Sequence, residues 1–174
     1  MDRRWDKAGS LAYKKKPKMN EFIHLIIPGE PIAKQRPKFF PIKTKSGFII
    51  HKAVTPKKTV NYETQIKERF AAEFPGFTPL RCPLCLSMWA FFSIPKSASK
   101  KKQRLMNDGE IRPTKRPDFD NILKTIDALE GLAFANDSQI VDATVQKFYS
   151  DKPRLELWIT NWEGPYPFGL VSSE

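Results

Sequence analysis

The chain has 174 residues, 40% of them hydrophobic, and it carries 30 Lys and Arg against 19 Asp and Glu. This composition predicts one folded domain with a hydrophobic core, and no apolar run is long enough to predict a transmembrane span. A net charge of +11 indicates a polyanionic partner, nucleic acid before an anionic membrane. Two Cys do not make a disulfide framework, which favours a reducing, cytoplasmic setting.

Three segments concentrate the positive charge. Residues 1–18 carry seven Lys or Arg, residues 96–116 carry eight, and a third basic stretch lies between 34 and 58. Such segments can follow a nucleic-acid backbone, because each neutralised phosphate releases counterions. The predicted organisation is a basic and disordered N-terminal tail at 1–19, a single domain at 20–162 and a C-terminal tail at 163–174.

The first half of the domain predicts two strand regions and one helix. The apolar, β-branched run 21–28 predicts a buried strand that stops at Pro28 and Gly29. Residues 38–54 predict two strands around a turn at Gly47. A helix with Thr59 as its N-cap is predicted to follow, because apolar residues recur every four positions at Tyr62, Ile66 and Phe70.

The second half adds strands and a second helix. The aromatic-rich run 84–94 predicts a central strand, and the stretch 97–104 is expected to be a basic loop. Residues 141–150 and 154–161 both alternate, which predicts two strands joined as a hairpin by the turn at 151–153. The fold class expected is α+β, a single domain with a mixed sheet and two main helices.

The segment 114–141 is unlike the rest of this basic chain, because it gathers carboxylates around one lysine. After Pro117, a helix is predicted from about residue 120 to 130, with Asp120, Lys124 and Asp127 on its polar face. Gly131 ends it. The carboxylates of this segment are Asp118, Asp120, Asp127 and Asp137.

Convergence of Asp118, Asp120 and Asp137 would require a cation, since close carboxylates repel one another. Mg²⁺ binds a few carboxylates together with waters and phosphate, so a metal site for phosphodiester hydrolysis is one hypothesis. Lys124 would then stabilise charge that develops on the phosphate. The alternative is structural: Asp120 as a helix cap or as the surface partner of Lys124.

The motifs "RPDFDNILKTIDALEG" and "NDSQIV" resemble the RusA family of Holliday junction resolvases. The upstream stretches "GEPIAKQRPKF" and "TPKKTVNYE" also resemble this family, so the resemblance spans residues 21–160. It implies a RusA-like homodimeric endonuclease that depends on Mg²⁺, with Mn²⁺ as the alternative ion. Its reaction would be symmetric nicking of four-way DNA junctions, in DNA recombination and repair.

The resemblance also implies roles for individual residues. Asp118, Asp120 and Asp137 match the metal-binding carboxylates, and Lys124 matches the catalytic lysine. Two departures are Asn136, where the family often has an acid, and a shorter segment before Asp127, whose role stays open. The residues expected to contact DNA, from the resemblance or from the basic segments, are Lys34, Arg36, Lys38, Lys100, Lys101, Lys102, Arg104, Lys115 and Arg116.

Other functions are less well supported by the sequence. A nuclease for flaps or forks would share the same chemistry, and a non-catalytic DNA-binding protein would leave the carboxylates as caps and surface charge. Cys82 and Cys85 form a lone C-x-x-C, which favours packed thiols over zinc because no second ligand pair follows. No glycine-rich phosphate loop is present, so no nucleotide cofactor is expected.

Overall fold

The computed structural model describes residues 22–162, and the predicted tails 1–19 and 163–174 lie outside the described residues. In that part of the chain, no helix has both the length and the apolar character needed to cross a membrane. The elements are, in chain order, β1 Phe22–Pro28, β2 Lys38–Lys43, β3 Ile49–Val54, α1 Lys57–Glu73, β4 Leu84–Ser93, α2 Lys100–Asn107, α3 Phe119–Leu123, a 3₁₀ helix Lys124–Leu129, a 3₁₀ turn Asp137–Gln139, β5 Ile140–Ser150 and β6 Arg154–Asn161.

A four-stranded mixed sheet forms the body of the protein, with the strand order β1-β6-β4-β5. β4 runs parallel to β5 and antiparallel to β6, which in turn runs antiparallel to β1. Every second side chain of β4 enters the core, because side chains of a strand point alternately to its two faces. The predicted α+β class and the interior position of strand 84–94 are therefore confirmed.

Helix α1 covers the inner face of this sheet. Tyr62, Ile66 and Phe70 are buried there, as their spacing predicts. The helix begins at Lys57 rather than after Thr59, so the predicted cap is wrong. The Thr59 hydroxyl instead accepts a hydrogen bond from the backbone N–H of Gln35 at 3.2 Å, which ties the chain before β2 to α1.

The predicted hairpin between β5 and β6 is wrong, because β4 lies between these two strands. Two strands that flank a third strand are two strand spacings apart, about 10 Å. A link of three residues can span that distance. The alternation of 141–150 and 154–161 determines which side chains enter the core. It does not determine which strand lies beside which.

Two other elements extend the prediction. The expected loop at 97–104 contains the start of α2, which is a third helix. Ser99 caps this helix by accepting a hydrogen bond from the N–H of Lys102 at 3.4 Å. The predicted hairpin at 38–54 is confirmed as β2 and β3, which form a separate two-stranded sheet. Every residue of these two strands is exposed.

Candidate active site

A set of hydrogen bonds holds the start of α3 against the middle of β5. The ammonium of Lys147 donates to the backbone carbonyl oxygens of Lys115 at 2.7 Å and Pro117 at 2.9 Å. The carbonyl of Lys147 itself accepts from Nε of Arg112 at 2.7 Å. A β5 residue therefore positions the backbone immediately before Asp118.

Asp118, and not Asp120, occupies the N-cap position of α3. Its backbone is extended, with φ −72° and ψ 148°, and its side chain makes no capping hydrogen bond. Its exposed carboxylate is therefore not used by the helix. The single helix expected over 120–130 is a five-residue α-helix followed directly by a 3₁₀ helix.

Asp120 and Lys124 form an ion pair on the exposed side of this helical segment. Nζ of Lys124 lies 3.0 Å from Oδ2 of Asp120 and also donates to Oδ1 of Asn121 at 3.3 Å. The hydrogen bond from Lys124 lowers the pKa of the Asp120 carboxyl; desolvation opposes this shift, and the positive charge of Lys124 adds to it. Asp120 therefore stays ionised to lower pH than a free aspartate.

Asp127 points to a different cation. Its Oδ2 accepts a hydrogen bond from Nζ of Lys34 at 2.9 Å, and Oε1 of Glu63 lies 3.3 Å from the same ammonium. Burial opposes the shift, but Asp127 and Glu63 together raise the pKa of Lys34 above its ordinary 10.5. Because two carboxylates neutralise it, Lys34 is a weaker candidate for a DNA contact than the neighbouring Arg36.

Asp137 begins a tight turn that its neighbours hold in place. Oδ1 of Asn136 accepts from the N–H of Ser138 at 3.0 Å, while Oε1 of Gln139 accepts from the N–H of Asn136 at 2.9 Å. Nε2 of Gln139 also donates to the carbonyl of Cys82 at 2.9 Å, which fixes the turn beside the entry to β4. Asn136 therefore acts as a cap, and the exposed Asp137 side chain is not needed for the turn.

The chain does not bring Asp137 together with Asp118 and Asp120. The helical segment from α3 to Leu129 spans roughly 20 Å at its usual rises, and Asp137 lies beyond its far end, where Asn136 Nδ2 donates to Glu130 Oε1 at 2.8 Å. Among residues 22–162, no three His, Cys, Asp or Glu side chains lie close enough to hold a metal ion. The expected convergence within one chain is thus not met.

The distances along β5 agree with this separation. The turn with Asp137 leads directly into Ile140, the first residue of β5, whereas the backbone before Asp118 is held by Lys147. These two positions on the strand are about 23 Å apart at ~3.3 Å per residue. Asp137 therefore lies next to the first residue of β5, whereas the backbone before Asp118 is held by the second half of the same strand.

An open groove of about 850 Å³ lies beside Asp118. Residues from the stretches 30–36, 58–65 and 116–121 line it, including the cationic Arg36, Lys58 and Arg116. Lys34 also lines the groove, and three of these four cations, all but Lys58, were expected to contact DNA. Lys58 was not among the predicted DNA contacts. It lies in the motif "TPKKTVNYE", and that motif could have indicated that Lys58 lies near the site.

The other residues expected to contact DNA are distributed over the surface. Lys38 is exposed on β2, and Lys115 is exposed in the loop before Asp118. Four more, Lys100, Lys101, Lys102 and Arg104, are exposed on α2, which contacts β5. Cys82 and Cys85 are free thiols, and Sγ of Cys82 donates to Oδ1 of Asn161 at 3.0 Å.

Comparison with known proteins identifies the family. The family model described as "Endodeoxyribonuclease RusA" matches residues 28–160. A relative from Bacillus subtilis (strain 168), "Uncharacterized protein YqaN", is 34% identical over 140 residues, which cover 79% of this chain and 94% of the relative. The chain therefore belongs to the RusA family of endodeoxyribonucleases, and it is a DNA-cutting hydrolase of the Holliday junction resolvase class.

Proposed function

We propose that this endonuclease resolves four-way DNA junctions as a homodimer, by paired symmetric nicks that depend on a divalent metal ion. The observation that carries the proposal is the pair of carboxylates at the start of α3, the exposed Asp118 and the half-exposed Asp120. They adjoin a lysine on one side and a groove lined by four cationic side chains on the other. Acidic residues within a basic surface suit a reaction at one phosphate of a bound DNA backbone.

The donor set at α3 fits Mg²⁺, with Mn²⁺ as the alternative. Mg²⁺ usually takes one or two carboxylates and keeps its remaining positions for waters and substrate phosphate. Asp118 offers a carboxylate that its helix does not use, and the low pKa of Asp120 keeps the second one ionised. Bound there, the ion would supply Lewis acidity at the phosphate and a more acidic water.

The protein's own residues then have distinct tasks. Asp118 and Asp120 hold negative charge at the position of the reacting phosphate. The Lys124 side chain is 54% exposed, so its ammonium can leave Asp120 and donate to a phosphate oxygen or the leaving oxygen. Arg36 and Arg116 bind the flanking backbone, which orients the strand relative to these groups.

A second copy of the chain gives Asp137 a role in this scheme. Asp137 is exposed and is not required by its own turn, yet it lies far from Asp118 and Asp120 of the same chain. In a dimer with twofold symmetry, two antiparallel β5–α3 units would bring each Asp137 towards the partner's α3. Exposed apolar side chains at both ends of this unit, Phe119 at 64% and Val141 at 57%, support such a contact.

Cleavage of a synthetic four-way junction tests the proposed function, with linear duplex, flap and fork substrates as controls. Paired nicks at symmetric positions are expected with Mg²⁺ and are expected to disappear in EDTA. Asp120→Asn should abolish cutting but retain junction binding, because it removes a carboxylate and no DNA contact. Preferential cutting of flaps would change the substrate, and tight binding without cutting by the wild-type protein would favour a non-catalytic role.

A further inference from the structure

The groove beside Asp118 ends at the first turn of a long helix. α1 has 17 residues and begins at Lys57 after Pro56, with no side chain that caps it and no acidic residue in its first turn. The first amide N–H groups of a helix have no partner within the helix, and its dipole adds positive potential there. Lys58, in the same turn, lines the groove.

The charge around this turn is strongly positive. No Asp or Glu occurs anywhere from residue 31 to residue 62. Arg36 and Arg116 line the groove from two other segments, whereas Asp127 and Glu63 already neutralise Lys34. Two carboxylates face the groove, and one of them, Glu30, accepts a hydrogen bond from the N–H of Ser93 at 3.2 Å. The other is Asp118 at the reaction site.

A buried phenol in the lining provides an independent observation. The Tyr62 side chain is only 3% exposed, and its hydroxyl has no hydrogen-bond partner within residues 22–162. Burial raises the pKa of Tyr62 far above its usual range, against the lowering effect of the Ile32 backbone, so the hydroxyl remains a donor. The Ile32 backbone does not meet hydrogen-bond geometry with this hydroxyl. A buried donor without an acceptor is unfavourable, and an anion in the groove would relieve it.

We propose that the first turn of α1, with Lys58 as its principal cation, binds one particular phosphate of the substrate strand, adjacent to the phosphate that is cut. This rests on the proposed function, because it assumes that a DNA strand crosses Asp118. Lys58 and Arg36 hold the phosphate oxygens, and the Tyr62 hydroxyl, which belongs to the same lining, donates to one of them. The groove volume, about 850 Å³, lies within the range of ordinary ligand sites, ~300–1,000 Å³.

Lys58 is thereby a positioning residue and not a catalytic one. Its contact fixes the strand one nucleotide from the reacting phosphate, and a small error in that distance reduces the rate of a positioned reaction. The helix N-terminus suits a phosphate because backbone N–H groups and the dipole act together with the side chain. A single phosphate, and not the backbone in general, should therefore depend on Lys58.

The test combines a protein change with a change at one phosphate. Junctions are prepared with an uncharged methylphosphonate at each phosphate near the cut in turn, and wild-type and Lys58→Ala proteins are compared on each. At one adjacent position, the methylphosphonate should slow the wild type about tenfold, as expected for loss of a charged hydrogen bond. On that junction, Lys58→Ala should cause no further loss, whereas the two changes should multiply elsewhere.

Two further variants separate the proposed contact from general effects. Lys57→Ala removes the same charge from the adjacent residue, which does not line the groove, and should combine multiplicatively with every methylphosphonate. Tyr62→Phe should weaken junction binding without lowering the unfolding temperature, since it removes a buried hydroxyl that has no described partner. Tyr149→Phe, outside the groove, should bind normally.

Each failure has its own signature. If Lys58→Ala and Lys57→Ala behave alike on every modified junction, the phosphate site at α1 is excluded while the proposed function stands. If the wild-type protein cuts no branched DNA, the proposed function fails. The same series, measured as binding in EDTA, then still decides whether one phosphate depends on Lys58.

Discussion

The two aspartates at the start of α3 differ in what surrounds them. Asp120 has Lys124 at 3.0 Å, whereas Asp118 lies two residues earlier on extended backbone and faces the groove. The pair therefore combines one carboxylate whose charge is already partly balanced with one that is open to a new cation. Lys124 links the two roles, because any movement towards substrate also releases Asp120.

Removal of the Lys124 ammonium should slow the reaction much more than it weakens binding. Lys124→Ala is expected to lower kcat by about a hundredfold or more, the usual loss for one charge-stabilising donor at a reacting oxygen. The pKa of Asp120 should return towards its ordinary value, since the hydrogen bond that lowers it is lost. The acid limb of the residual pH–rate profile should therefore move to higher pH.

The matched control is Lys67→Ala, an exposed lysine on α1 that does not line the groove. Single-turnover cutting and junction binding would be measured for both variants across a range of pH. Wild-type cutting by Lys124→Ala would remove this residue from the reaction and leave it as the surface partner of Asp120.

At the level of elements, the structure separates a buried sheet from an exposed hairpin. Leu157 in β6 is 1% exposed and lies in the core, whereas Phe39 in β2 is 67% exposed. β2 and β3 pair only with each other among the described strands, and they combine large apolar residues with several lysines. Burial of apolar area, and not hydrophobicity of the residue, determines how much each contributes to folding.

Alanine substitutions in these two elements should therefore differ widely in cost. Leu157→Ala should reduce the free energy of unfolding by about 2–5 kcal/mol, through lost burial and the cavity left behind. Phe39→Ala should change it by no more than about 0.5 kcal/mol, as for other exposed positions. Urea unfolding at one fixed protein concentration measures both. A loss at Phe39 similar to that at Leu157 would mean that a second subunit covers the hairpin.

For the whole molecule, the separation of the acidic residues is the main consequence of the fold. One chain presents Asp118 and Asp120 at one end of the β5–α3 unit and Asp137 at the other. A symmetric junction has two strands to cut, and a twofold dimer has two such units. A shared site would couple cutting to dimerisation, because neither chain alone would hold the complete set of carboxylates.

Mixed dimers can distinguish a shared site from a site within one chain. A hybrid of one Asp120→Asn subunit and one Asp137→Asn subunit, isolated through two affinity tags, should regain single-strand nicking at about half the wild-type rate. Both substitutions then fall in the same shared site, and the other site is intact. If each site belongs to one chain, this hybrid remains inactive.

The reverse hybrid gives the opposite result and serves as the control. One wild-type subunit paired with one Asp120→Asn/Asp137→Asn subunit damages both shared sites, so no nicking is expected. Nicking by this dimer would assign all three carboxylates to one chain and reject the shared site.

The amino-acid sequence by itself determined the α+β class, the hairpin at 38–54, the buried face of α1 and the family. These features depend on the local period of apolar residues, on turn residues and on contiguous motifs, all of which can be read within short segments of the sequence. The motif around Asp118 and Asp120 belongs to the same group, because both residues lie at one helix entrance.

Only the tertiary structure decided the remaining points. That β4 separates β5 from β6 and that Asp127 pairs with Lys34 depend on packing between distant segments. So does the separation of Asp137 from Asp118 and Asp120, since a helical segment of fixed rise keeps apart residues that a short stretch of sequence suggests are close. Closeness along the chain predicts shared helix faces, but distance in space is determined by how rigid elements pack.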